Sequence, residues 1–169
     1  YGKVDRPRRK EGMRTTSRLF QTLSMDAPLY PRSPKVLLGG LAHLARLIDK
    51  IRLRHAGLIQ DYHYLTTGFD KSLIELLSID AQAFKQRVLA GGTDEDLLEW
   101  VRTCGRTLSE AETRLWTGKV LTAGPADEAA RDRFQGRLRD VAVKRGVPLE
   151  SLPPVSTWVE AIELDEGRL

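Results

Sequence analysis

Cysteine is almost missing from this chain of 169 residues: Cys104 stands alone. One thiol excludes an internal disulfide and any metal site built from several thiolates. It suits a reducing compartment, so the cytoplasm is the expected location. No apolar run comes near the ~20 residues that a membrane span requires. No continuous apolar stretch follows the basic N-terminus as it would in a secretory signal, so neither insertion nor export is expected. Strand signals are poor as well. β-Branched residues nowhere alternate over six positions, and Asn-Gly and Asp-Gly hairpin turns are absent.

Several catalytic signatures are lacking too. Ser33 and Ser109 have no G-x-S-x-G context and sit at helix-start positions. Gly39-Gly40 and Gly91-Gly92 are not followed by Gly-Lys-Ser/Thr, so they are not phosphate loops and no cofactor is expected. Asp49, His55, Asp61, His63 and Asp70 have the donor types a divalent metal uses, but no H-x-x-x-H or H-x-H spacing supports them. His43 and His55 are twelve residues apart, about 120° around a helix, and cannot share a ligand sphere there. No metal site is expected. Cys104 closes a helix next to Gly105, where the dipole disfavours a thiolate, and reads as inert.

Charge is plentiful and unevenly spread. Residues 1–30 hold seven Lys or Arg against three acids, residues 31–60 hold six against Asp49 alone, and the remainder holds 14 against 19. The net +4 is thus an N-terminal excess rather than a uniform basic surface. Residues 1–24 read as a polar, basic arm or an extended start, with too little apolar surface to offset the entropy of ordering. Residues 25–169 read as a single helical domain.

Pro31, Pro34 and Gly39-Gly40 disfavour regular helix before Leu41. From there Leu41, Leu44, Ile48 and Ile51 recur at three- and four-residue steps, widened by Leu47, and predict an amphipathic helix ending near Gly57. Its other side carries His43, Arg46, Lys50 and Arg54, a basic stripe expected to face outward; Asp49 lies within reach of Arg46 or Arg52. A short helix is expected over Ser72–Leu77. Asp80 can cap another through Leu89; Thr93 with Asp96 approximates a capping box, and Ser109 with Glu112 makes a true one. Asp127 starts a helix ending at Gly146, and Thr157–Leu164 forms a last one. The fold class is all-α: one compact bundle of six to seven helices with little or no sheet.

Seven segments in this order resemble a bacterial family known as a domain of unknown function (DUF5069). They are Pro31-Arg32-Ser33-Pro34, Gly39-Gly40-Leu41, Ile48-Asp49-Lys50 with Arg52, and Asp61-Tyr62-His63. Further on come Gly68-Phe69-Asp70, then Gly92-Thr93-Asp94-Glu95 with Leu98-Glu99-Trp100, and the closing Asp165-Glu166-Gly167-Arg168. The resemblance runs from about Pro31 to the C-terminus. It implies a small cytoplasmic bacterial protein and no particular activity. It also implies Trp-Asn where this chain has Trp116-Thr117.

Polar and ring-bearing groups concentrate just after the first helix. Arg46, Asp49, Lys50, Arg52, Asp61, Tyr62, His63 and Asp70 are therefore the candidate ligand-binding residues. The expected function is a binding or interaction module for a small anionic ligand or a protein partner. One alternative is an enzyme in which Asp61, Tyr62, His63 or Asp70 moves a proton while Lys50 or Arg52 holds an anion. The other is a nucleic-acid binder using the arm and the Arg46–Lys50–Arg54 face, although no known DNA- or RNA-binding motif accompanies them. Trp100, Trp116 and Trp158 read as anchors of the core or of an interface, a homodimer among the partners to consider.

Overall fold

The computed structural model describes residues 29–59 and 62–169. The expected arm over 1–24 lies outside the described residues, and so does Asp61. Among the described residues seven α-helices follow one another: α1 Leu44–His55, α2 Gly68–Leu77, α3 Ala81–Leu89, α4 Asp94–Cys104, α5 Glu110–Thr122, α6 Glu128–Arg145 and α7 Trp158–Asp165. A 3₁₀ turn at Leu149–Ser151 lies between α6 and α7. The described residues contain no strand, only an isolated bridge between Leu38 and Leu41. The fold is all-α.

Local capping chemistry explains most helix starts. Asp80 accepts the amide of Ala83, and Asp127 that of Ala130, each at 2.7 Å. Thr93 with Asp96, Ser109 with Glu112 and Thr157 with Glu160 close full capping boxes. Each cap contributes about 1 kcal/mol and marks where its helix begins. At the other end of α6, Gly146 takes the left-handed conformation (φ 65°) that lets the chain leave the helix. Gly105 ends α4 for another reason. A Cβ there would stand 2.6 Å from the Leu77 carbonyl oxygen, so the α2–α3 junction packs directly onto its backbone.

The first helix departs from its expected start. The amide of Leu41 is bound by the Leu38 carbonyl, that of Ala42 by the Thr117 hydroxyl and that of His43 by the Pro34 carbonyl. His43 turns the chain with φ 73°, outside the right-handed helical region, so regular helix begins only at Leu44. Left-handed backbone at a non-glycine residue is strained by about 1–3 kcal/mol, which the surrounding packing must hold in place.

The main core draws on α1 to α5, with Val159 of α7. Leu44, Leu47, Ile48 and Ile51 of α1 are fully buried, each contributing on the order of 2 kcal/mol. Trp116 donates its indole N–H to the Ala42 carbonyl at 3.0 Å, and Phe84 and Trp100 lie against each other with ring centres 6.1 Å apart. α6 packs on α7, where Phe134 meets Trp158 edge to face at 5.1 Å.

Three members of the basic stripe, His43, Arg46 and Lys50, do not face solvent while Arg54 is half-buried, and this corrects the outward orientation expected from the amphipathic pattern. His43 and Arg46 are each 2% exposed and Lys50 is 9% exposed, so α1 is enclosed on its charged side as well. Charges withdrawn from water need nearby counter-charges, and each finds one on a different segment. Arg46 meets Glu166 and Lys50 meets Asp70. Asp49 pairs with Arg32 rather than with Arg46 or Arg52, and Arg52 reaches Asp94.

Candidate functional site

The candidate residues separate into three groups around α1. In the first, Arg46 binds Glu166 through two nitrogens at 2.9 and 2.5 Å, while its Nη1 also reaches the Arg32 carbonyl at 3.0 Å. Tyr62 donates its hydroxyl to Glu166 at 2.7 Å, with its ring facing the Arg46 guanidinium, and Arg168 closes on the same carboxylate. Burial and the bond to anionic Glu166 both raise the Tyr62 phenol well above its ordinary range, so it stays a donor. This group ties α1, the connector after it and the C-terminal Glu166-Gly167-Arg168 into one clasp.

The second group is a ladder. Arg32 contacts Asp49 at 2.7 Å and Asp94 at 2.5 Å, and Arg52 contacts Asp94 at 3.1 Å. The bond from Arg32, with both cations close by, holds the Asp94 carboxyl below its usual range despite some burial. Asp49 and Arg52 thereby join the segment before α1 to the start of α4.

The third group is different in kind. Asp70, in the first turn of α2, is 2% exposed and receives the Lys50 ammonium at 2.9 and 3.1 Å and the Leu65 amide at 3.1 Å. Its Oδ1 also lies 2.5 Å from Nε2 of His43. Burial opposes ionisation of Asp70, but the His43 bond and the Lys50 charge outweigh it and hold the carboxyl below its ordinary value. Burial pushes His43 below its usual value, more than Asp70 raises it. An ionised Asp70 can only accept, so neutral His43 carries its proton on Nε2, and Nδ1 is left with a free lone pair. Nδ1 is buried and has no hydrogen-bond partner among the described residues.

This third group forms part of the wall of a cleft of about 750 Å³. The N-terminal turn of α2 lines one side, from Thr67 to Ser72; the loop before α6 and residues Arg133 and Arg137 line another. The Thr67 side chain makes no cap bond, so the first-turn N–H groups of α2 lack the usual side-chain acceptor. Arg137 reaches Asp165 at 3.3 Å through one terminal nitrogen, while its buried Nε has no partner among the described residues. Arg133 is exposed and has no ion pair among the described residues. Carboxylates at the cleft are already engaged: Asp70 by Lys50 and His43, Glu75 by Lys71, and Asp127 by the Ala130 amide. Positive charge and N–H donors are in excess.

Of the candidates read from the sequence, Lys50, His63 and Asp70 line this cleft. Arg46 and Tyr62 belong to the clasp, Asp49 and Arg52 to the ladder, and Asp61 lies outside the described residues. His63 is exposed and offers its carbonyl to Lys50 at 3.5 Å. Sequence reasoning missed His43, Arg133 and Arg137. A signal for His43 was present: it stands seven residues before Lys50, a spacing that puts both on one helical face. Nothing local marks Arg133 or Arg137 among the many arginines of α6.

Among the described residues no three His, Cys, Asp or Glu side chains converge as a metal would require, and no helix is long and apolar enough to cross a membrane. No curated protein matches the chain. Residues 29–168, which hold all seven helices, match the model of the family described as domain of unknown function (DUF5069), and the chain belongs to that family.

Proposed function

We propose that the protein binds a small anionic ligand in the cleft between the start of α2 and α6. The observation that carries this reading is the surplus of unsatisfied donors on one concave surface. Arg137 Nε is buried without an acceptor, Arg133 lacks a counter-ion among the described residues, and α2 begins without a side-chain cap. A buried donor left unpaired destabilises a fold by about 1–3 kcal/mol, and an incoming oxyanion would recover that energy. Helix N-termini favour anions for the same electrostatic reason. The volume of about 750 Å³ suits a metabolite-sized molecule.

Lys50 supports the site indirectly. It neutralises Asp70, so the carboxylate does not repel an anion at the mouth of α2. A cytoplasmic setting is part of the proposal, because a reducing compartment keeps an exposed lone thiol such as Cys104 free.

Inorganic phosphate is a suitable first probe. Titrated into the labelled protein, it should shift the backbone amide resonances of Thr67–Asp70 and the Nε resonance of Arg137. A double variant, Arg133→Ala with Arg137→Ala, should lose at least tenfold in affinity, about 1.4 kcal/mol. Equal phosphate binding by the variant and the parent, or shifts confined to distant residues, would remove the reading.

A further inference from the structure

We infer that His43 is the buried hydrogen-bond acceptor of the cleft, and that the ligand therefore carries a hydroxyl group as well as an anionic oxygen. This inference rests on the anion-binding reading of the same site and adds the second half of the ligand's chemistry.

The guanidinium groups of Arg133 and Arg137 and the first-turn amides of α2 are donors, and the other side-chain acceptors of the lining, His63, Thr67, Ser72, Glu75 and Asp127, are exposed or half-exposed and open to water. Among the described residues, His43 Nδ1 is the one buried side-chain acceptor without a partner. Its tautomer is fixed from behind, because Nε2 must donate to an Asp70 carboxylate already holding the Lys50 ammonium. Nδ1 is consequently an acceptor, and it is left unpartnered on a side chain 2% exposed. Burying an acceptor without a partner is unfavourable, and natural folds retain few such groups.

Two further features hold His43 in this pose. Its backbone sits at φ 73°, a strained conformation that the bond from its own amide to the Pro34 carbonyl at 3.0 Å helps to fix. Its ring meets Phe69 edge to face at 5.5 Å, and Phe69 stands in the same α2 turn that lines the cleft. A ligand anchored on the α2 amides is thus anchored on the residue beside the imidazole. A carboxylate or a phosphate ester could supply the anion; the hydroxyl is the shared requirement.

Matched probes separate these elements. Acetate is compared with glycolate, and methyl phosphate with 2-hydroxyethyl phosphate, by titration of protein labelled with ¹⁵N-histidine. The hydroxylated member of at least one pair should bind roughly tenfold tighter, as expected for a hydrogen bond to a buried acceptor. It should also move the His43 Nδ1 resonance toward the protonated range, while its partner leaves that resonance in place. The pair showing the preference identifies which anion the site takes. In His43→Phe the ratio within the pair should fall to about one. Should that variant fail to fold, the Nδ1 resonance of the parent protein still decides.

An Nδ1 already protonated or water-bonded in the free protein and unmoved by all four probes would overturn the inference. If the Arg137 and α2 resonances nevertheless responded equally within each pair, anion binding would stand and only the hydroxyl requirement would fall. Silence at every cleft resonance would end both.

Discussion

His43 joins backbone strain, burial and an unsatisfied lone pair in one side chain. Its depressed basicity has a consequence for stability. The unfolded imidazole titrates near 6.5, whereas burial keeps the folded one neutral to lower pH. As pH falls below about 6.5, the unfolded chain binds a proton that the folded chain does not, and stability declines; above that value this contribution is constant. Urea midpoints at pH 7.5 and 5.5 should therefore fall with acid, and His43→Gln should flatten this step. A step of equal size in the variant would show that another group causes it. The carboxylates act lower. Asp70 and Asp94 are held below 3.8, so their stabilisation is complete above that pH and is lost as pH falls through the depressed folded values.

At the scale of single elements, what could be read from the sequence was what is local. Asp80, Thr93, Ser109 and Asp127 mark helix starts because a capping bond spans only two or three residues, and Gly146 marks a stop by its own backbone freedom. The apolar face of α1 was legible for the same reason. Its charged face was not, because a cation on an amphipathic helix looks the same whether water or a carboxylate 120 residues away receives it. The start of α1 escaped too, since His43 turns the chain there with φ 73°. The Thr117 hydroxyl accepts the Ala42 amide at 3.0 Å and donates to the Gly40 carbonyl at 2.7 Å. An asparagine amide can do both, which accounts for the departure from Trp-Asn at Trp116-Thr117. Thr117→Val should lower stability by about 1–3 kcal/mol, because it leaves the Ala42 amide unpaired beside buried Trp116, while Thr117→Asn should stay near the parent. Chemical denaturation of the two variants tests this; equal losses would show that shape rather than hydrogen bonding matters there.

Across the whole molecule, α1 behaves as an internal strut, with Arg46, Asp49, Lys50 and Arg52 each fastened to another part of the chain. The tightest fastening is at Glu166, which is 5% exposed and receives Arg46, Arg168 and Tyr62. Glu166→Gln keeps the size but removes the counter-charge, and a buried Arg46 without one should destabilise the fold by about 3–5 kcal/mol. A urea midpoint barely changed from the parent would show that water replaces the carboxylate there. The candidate site shared this limit of legibility. The described members of the expected cluster serve three networks, and among them Lys50, His63 and Asp70 reach the cleft. Arg133 and Arg137 come to that cleft from α6, more than sixty residues further along the sequence.

The clasp at Glu166 also sets an order of events during synthesis. Arg46 leaves the ribosome 120 positions before the carboxylate that neutralises it. Until Glu166 emerges, the central helix has no way to enter a dry interior without carrying a naked cation inside. A nascent chain stopped short of that residue can form its capped outer helices but cannot seal its middle, so closure of the core waits on Glu166.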